Sequence, residues 1–195
     1  MEDFKAFEEI TEADARMRSW ALVDRVTGNA RPYGLRDLHG AIAEIRLNPA
    51  VPAHVQMSFL TARHLALYAW FVYRFAEPSR LQAYASLEFA LRDRLGHSND
   101  DKPPPLRNLL EKAVADGMFN ERGIGDWPGH RQDLTVGGTR EYRSGDWIRS
   151  LPEFIAYFRN DLAHGSFTLN PDGALTLRLV AELINQLYPA HDSAT

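Results

Sequence analysis

Near the end of the chain, Phe158-Arg159-Asn160-Asp161-Leu162-Ala163-His164-Gly165 sets four polar, chemically capable side chains into six positions. Arg159 offers five fixed donors and stays charged at any working pH, which suits the oxygens of a phosphate. His164 is of the one residue type that titrates near neutrality unaided, so it can give or take a proton in a reaction. Asn160 and His164 are four apart and share one face of a helix. Arg159 falls roughly 140° round the axis from His164 at about 100° per residue. One helix end therefore aims both at a single phosphate only if the last turn unwinds or a second copy contributes. The bare Arg-x4-His spacing carries little weight. Chance supplies about one match in a chain of this composition, and Arg92-Asp93-Arg94-Leu95-Gly96-His97 is a second one.

Several other chemistries are excluded. Cys is absent, which removes thiolate catalysis, disulfides and Cys-ligated metals. No HExxH, GxxxxGK[ST], GxSxG or EF-hand loop occurs. The seven His never fall three or four apart, so no helix presents a two-His metal site. Gly123-Ile124-Gly125-Asp126-Trp127-Pro128-Gly129 has the wrong spacing for a dinucleotide loop, follows no strand and opens no helix. No cofactor or metal is expected. The net charge of −4 argues against a large nucleic-acid footprint. It leaves room for a local Arg site, and only 3 of the 22 basic residues are Lys.

The elements that must position these groups read as helices. Apolar residues recur at helical spacing through Phe4–Val26, with Thr27-Gly28-Asn29 as a C-terminal cap, and through Leu35–Ile45. A long buried helix is expected over about 52–76 on Met57, Leu60, His64, Tyr68, Phe71, Val72 and Phe75, with His64 a hydrogen-bonded core histidine. Leu81, Tyr84, Leu87, Leu91 and Leu95 outline a helix ended by Gly96; Leu106–Val114 another, stopped by Gly117. Residues 118–147 are glycine-punctuated and lack a helical period, and Leu134–Gly138 has the composition of a short hairpin. So long a loop in a compact domain is more often functional than inert. Its Trp127, Trp147, Arg131, Arg140 and Arg143 suit base stacking and phosphate contact, the alternative being a solvated loop whose two Trp fold back on the bundle. Helical spacing resumes at Ile148, with Pro152 in the first turn after a Ser150 cap, and a last helix carries Leu175, Leu179, Leu183 and Leu187. The expectation is one all-α domain over 1–195, with an N-terminal helical extension (1–50) and one long irregular loop. Glu88, among apolar neighbours, reads either as an i,i+4 partner of Arg92 or as the anchor of an Arg elsewhere in the bundle. No apolar run reaches the ~18 residues of a membrane span. The acidic, periodic first twenty residues are not a secretory leader, so a cytoplasmic protein is expected.

Taken in order, Ala83-Tyr84-Ala85-Ser86-Leu87-Glu88-Phe89-Ala90-Leu91-Arg92-Asp93-Arg94-Leu95-Gly96, then Leu106-Arg107-Asn108-Leu109-Leu110-Glu111-Lys112-Ala113, then Arg159-Asn160-Asp161-Leu162-Ala163-His164-Gly165 resembles the HEPN (higher eukaryotes and prokaryotes nucleotide-binding) superfamily. The resemblance is to its bacterial defence and abortive-infection branch and covers about 57–188. It implies a small helical bundle that homodimerises, with the Arg-x4-His motifs of two chains facing one another across a composite cleft. It also implies a metal-independent endoribonuclease, a toxin or defence effector held in check by an antitoxin or other regulatory protein. Arg159 would hold the scissile phosphate, His164 would act as general acid or base, and Asn160 matches the polar position after the Arg. The reaction is attack by the ribose 2′-hydroxyl, so RNA is the partner and DNA is not. The alternative is a non-catalytic helical module for dimerisation or for binding RNA or protein, with Arg159 and His164 as polar structure at a subunit interface.

Overall fold

The computed structural model describes residues 4–24, 26–121, 146–164 and 173–190. Among them the chain is mostly helical, all-α apart from one two-stranded sheet. A 3-10 turn at Phe7–Glu9 precedes α1 (Ala15–Arg18), and β1 (Ala21–Val23) pairs antiparallel with β2 (Ala30–Pro32). Then come α2 (Leu35–Ala43), α3 (Ala53–Tyr68), a 3-10 turn at Tyr73–Phe75, α4 (Ala76–Arg94), α5 (Leu106–Ala115), α6 (Asp146–Ala163) and α7 (Gly173–Leu187).

Helix α4 is the axis on which the others pack. Ser79, Arg80, Ala83, Tyr84, Ser86, Leu87, Glu88, Ala90 and Leu91 are buried along it, which takes in most of its circumference. A helix covered on nearly all sides is an interior helix, and its sequence shows no single apolar stripe. Helices α3 and α7 make its largest contacts; α6 packs on both α4 and α5. The interior is filled by Phe59 of α3, Leu109 and Leu110 of α5, Leu151 and Ile155 of α6, and Leu177, Leu183 and Ile184 of α7. Polar ties set the registers. Ser79 Oγ donates to the Ala62 carbonyl at 2.8 Å, joining α4 to α3. The Tyr188 hydroxyl, just past α7, reaches Asp93 Oδ2 at 2.8 Å and the Ala90 carbonyl at 3.0 Å. Burial and the neighbouring Asp93 carboxylate both push the Tyr188 phenol pKa well up, so the hydroxyl serves as a donor.

The helix stops expected at Gly96 and Gly117 are present, each in a left-handed conformation (φ +80° and +68°). After α5, Met118 N–H bonds the Ala113 carbonyl at 2.9 Å and Gly117 N–H the Val114 carbonyl at 3.0 Å. That pair of bonds is the Schellman closure, which satisfies the last carbonyls of a helix.

In the first 50 residues the helix expected over Leu35–Ile45 is present as α2, whereas the tract Phe4–Val26 corrects the expected helical extension. Trp20, Val23 and Val26 are spaced like a helix face, yet Ala21–Val23 is a strand, with Val23 and Val26 exposed. The Asp24 carboxylate accepts from Val26 N–H at 2.8 Å and Thr27 N–H at 3.0 Å, so a local side-chain turn competes successfully with helix. In α3 the inward face is Val55, Phe59, Ala62 and Ala66, whereas Met57, His64 and Tyr68 face solvent. Two rows of apolar residues share that helix. The smaller row was buried because alanines let α3 approach α4 closely. His64 is thus a surface residue, not a core histidine. Pro152 lies inside α6, because the helix starts at Asp146, ahead of the expected Ser150 cap; the Ser150 hydroxyl instead donates to the Trp147 carbonyl at 2.7 Å. The break after α3 comes at Ala69, and Pro78 sits within the first turn of α4, where its missing N–H has no intrahelical acceptor to lose. No helix among the described residues is long and apolar enough to cross a membrane.

Candidate functional site

The last turns of α6 carry Arg159 and Asn160, with His164 immediately after the helix. The helix holds its line because Leu151 and Ile155 are fully buried, while Phe154, Phe158 and Leu162 pack on the core from its edges. The His164 N–H still bonds the Asn160 carbonyl at 2.9 Å, so helical spacing extends through the histidine.

Arg159 turns toward α4. Its Nη2 lies 3.4 Å from Glu88 Oε2, and its Nη1 donates to Asn160 Oδ1 at 3.3 Å. Glu88 is buried, and its other oxygen accepts from Arg92 one turn along α4. Both expectations for Glu88 therefore hold together: it is the i,i+4 partner of Arg92 and the anchor of a distant arginine. Arg92 Nε is buried without a hydrogen-bond partner. One carboxylate between two guanidiniums leaves one formal positive charge at the cluster. The Arg159 side chain stays 37% exposed, so solvent or a ligand can reach it.

Asn160 and His164 are exposed on another side of the helix, and the His164 ring has no hydrogen bond among the described residues. The chain thus brings Arg159, Asn160 and Glu88 together, and His164, on the side of the helix it shares with Asn160, lies about 140° round the axis from Arg159. The second Arg-x4-His match is different. Arg92 is taken up by Glu88, and His97 Nδ1 is held by Asp100 Oδ2 at 2.7 Å, a local pair that closes the turn after α4. Of the two motifs, that of Arg159 has a histidine ring without a hydrogen bond among the described residues.

Tyr157 belongs to the same surface. It precedes His164 by seven positions and Asn160 by three, which places all three on one side of α6. Its ring is 65% exposed and meets Phe158 edge-on, centroids 5.5 Å apart, and Phe158 in turn lies tilted against Phe154 at 4.6 Å. Residue type alone did not single it out; its spacing from His164 was the available signal. An exposed aromatic ring supported from behind is a surface on which a nucleobase can stack.

A separate chain of polar contacts links Tyr188, Asp93 and His54, with His54 Nε2 3.5 Å from Asp93 Oδ1 and its ring edge-on to Phe89 at 4.8 Å. It ties α7, α4 and α3 together. Trp127, Arg131, Arg140 and Arg143 lie outside the described residues, as does the hairpin expected at Leu134–Gly138, while Trp147 is buried against the bundle. Among the described residues no group of three or more His, Asp or Glu is placed to hold a metal ion. Comparison of the chain with known protein families, with curated proteins and with solved structures finds no match.

Proposed function

We propose that this protein is a HEPN-like, metal-independent endoribonuclease whose site is completed by a second copy of the chain. The observation that supports this most is the steering of Arg159 by Glu88. The arginine is oriented through one edge of its guanidinium, its surroundings keep a surplus positive charge, and it remains open to solvent. That is what holding a phosphodiester requires. Asn160 and an exposed His164 stand on the next face of the same helix end.

The chemistry follows from these groups. A neutral His164 takes the proton of a ribose 2′-hydroxyl as its oxygen attacks the adjacent phosphorus. Charge building on the phosphate oxygens is stabilised by Arg159, and the 5′-oxygen departs as it receives a proton from a second acid. The products are a 2′,3′-cyclic phosphate and a 5′-hydroxyl. His164 of a second copy would supply the second acid, which also resolves the divergence of Arg159 and His164 within one chain. The nucleophile is internal to RNA, so the scheme calls for proton transfer and charge stabilisation only. Purified protein incubated with RNA in EDTA should produce cyclic-phosphate ends, and His164→Ala should abolish them. Loss of cleavage on chelation, or full cleavage by His164→Ala, sinks the mechanism. In a defence setting such an enzyme would need a regulatory protein to restrain it.

One observation favours a second reading, that of a non-catalytic interaction module: Arg159 is already engaged by a buried carboxylate in an acidic protein. Under that reading Arg159→Ala weakens assembly and leaves RNA untouched.

A further inference from the structure

The first described residues form an arm whose large apolar side chains are bare. Phe4, Phe7 and Ile10, spaced three apart, are 102%, 83% and 52% exposed. Large bare apolar side chains grouped this way mark an interaction surface. The base of the arm is pinned. Lys5 Nζ donates to the Glu9 and Glu12 carbonyls at 3.0 and 2.6 Å, and Arg18 Nη2 pairs with Glu12 Oε2 at 2.8 Å. Asp14 then fastens the chain to the bundle, its N–H to the Trp70 carbonyl at 2.9 Å and its Oδ2 accepting from Tyr73 N–H at 3.2 Å. These contacts curl the arm on itself and hold its three apolar side chains outward.

Beside that anchor, an apolar groove runs between α2 and the end of α3. Leu35, Leu67, Tyr68 and Phe71 line it, Arg36 and His39 stand on it, and it encloses about 470 Å³. Tyr68 is 54% exposed. Among the described residues Arg36 forms no ion pair, and neither Glu8 nor Glu9, which flank Phe7 and Ile10, forms one. An acidic apolar arm and a basic apolar groove are complementary in both respects.

We propose that the arm of one copy seats Phe7, with Phe4 and Ile10 beside it, in the α2–α3 groove of a second copy, its Glu8 and Glu9 facing Arg36. Every chain carries both arm and groove, and reciprocal seating of the two arms about a two-fold axis closes a dimer without open ends. Phe4 and Phe7 are bare and Tyr68 of the groove is exposed, so the arm does not cover the groove of its own chain and a second copy is the occupant. The inference stands apart from the ribonuclease reading: arm exchange can hold in a protein that cuts no RNA, and the two are measured separately.

The absence of Cys from the chain makes the test clean. Ala6→Cys and His39→Cys proteins are prepared singly, mixed and mildly oxidised. The expected product is a reducible heterodimer that forms between the two variants in preference to either homodimer, and less of it at high salt. In the double variant the bond should again join two chains. Independently, full-length Phe7→Asp, which alters only an exposed side chain, should keep the parent helical circular dichroism and weaken the dimer by roughly tenfold or more in light scattering. A disulfide closing within one chain, no preference for the mixed product, or a Phe7→Asp dimer as tight as the parent overturns the proposal.

Discussion

The guanidinium of Arg159 and the carboxylate of Glu88 lie 3.4 Å apart across 71 positions of sequence, joining the end of α6 to the middle of α4. Arg92 binds the other oxygen of the same carboxylate, so both arginines of the chain's two Arg-x4-His matches converge on Glu88. One buried anion thereby sets the pose of the arginine that the proposed chemistry depends on.

Removing that anion should cost more than removing the arginine. Glu88→Ala strands two partly buried cations, and a loss on the order of 2 kcal/mol is expected. Arg159→Ala breaks only a half-exposed pair and should cost less than about 1 kcal/mol. Chemical denaturation of both variants and of the double variant measures the difference; a costlier Arg159→Ala would mean that Glu88 is not the shared anchor.

Acid should loosen the base of the N-terminal arm. The Arg16 side chain hydrogen-bonded to Asp14 holds its carboxyl at about 2, below the ordinary 3.8, with the N–H groups of Arg16 and Tyr73 acting in the same direction. A folded pKa below the unfolded one gives stability that is fully present above the unfolded value and is lost as pH falls from about 4 toward 2. The amount is on the order of 2 kcal/mol. Asp14→Asn should therefore melt lower than the parent at pH 7, and the gap should shrink at pH 3.

Gly117→Ala tests the backbone alone. A Cβ there would meet no atom within 4 Å, so the cost comes entirely from φ +68°. About 1 kcal/mol is expected for a left-handed non-glycine residue, read as a lower melting temperature with an unchanged helical spectrum.

Tyr188→Phe should lose roughly 1 kcal/mol, because Asp93 and the Ala90 carbonyl forfeit a donor while the ring keeps its packing. Denaturant titration checks it, and a neutral substitution would show that the hydroxyl does not tie α7 to α4.

Local signals in the sequence were sufficient for much of the helical frame. Gly96 and Gly117 ended helices as expected, because a left-handed cap is a property of one residue and its nearest carbonyls. The apolar spacing of α5 and α7 likewise located those helices. That Arg159, Asn160 and His164 lie at one helix end was legible too, since they are neighbours in sequence.

What depended on distant contacts was not legible. Helical spacing ran through Trp20, Val23 and Val26, but the pairing of β1 with β2 decided that segment. Two apolar rows competed on α3, and only packing against α4 selected the alanine-bearing one and left His64, Met57 and Tyr68 outside. The start of α6 at Asp146, with Pro152 inside it, goes with the burial of Trp147, Ile148 and Leu151. Above all, the sequence offered Glu88 two partners, and the tertiary structure used both. Periodicity says which residues of one helix share a face, but the neighbour that covers that face, and the charge it carries, are fixed only when the helices pack.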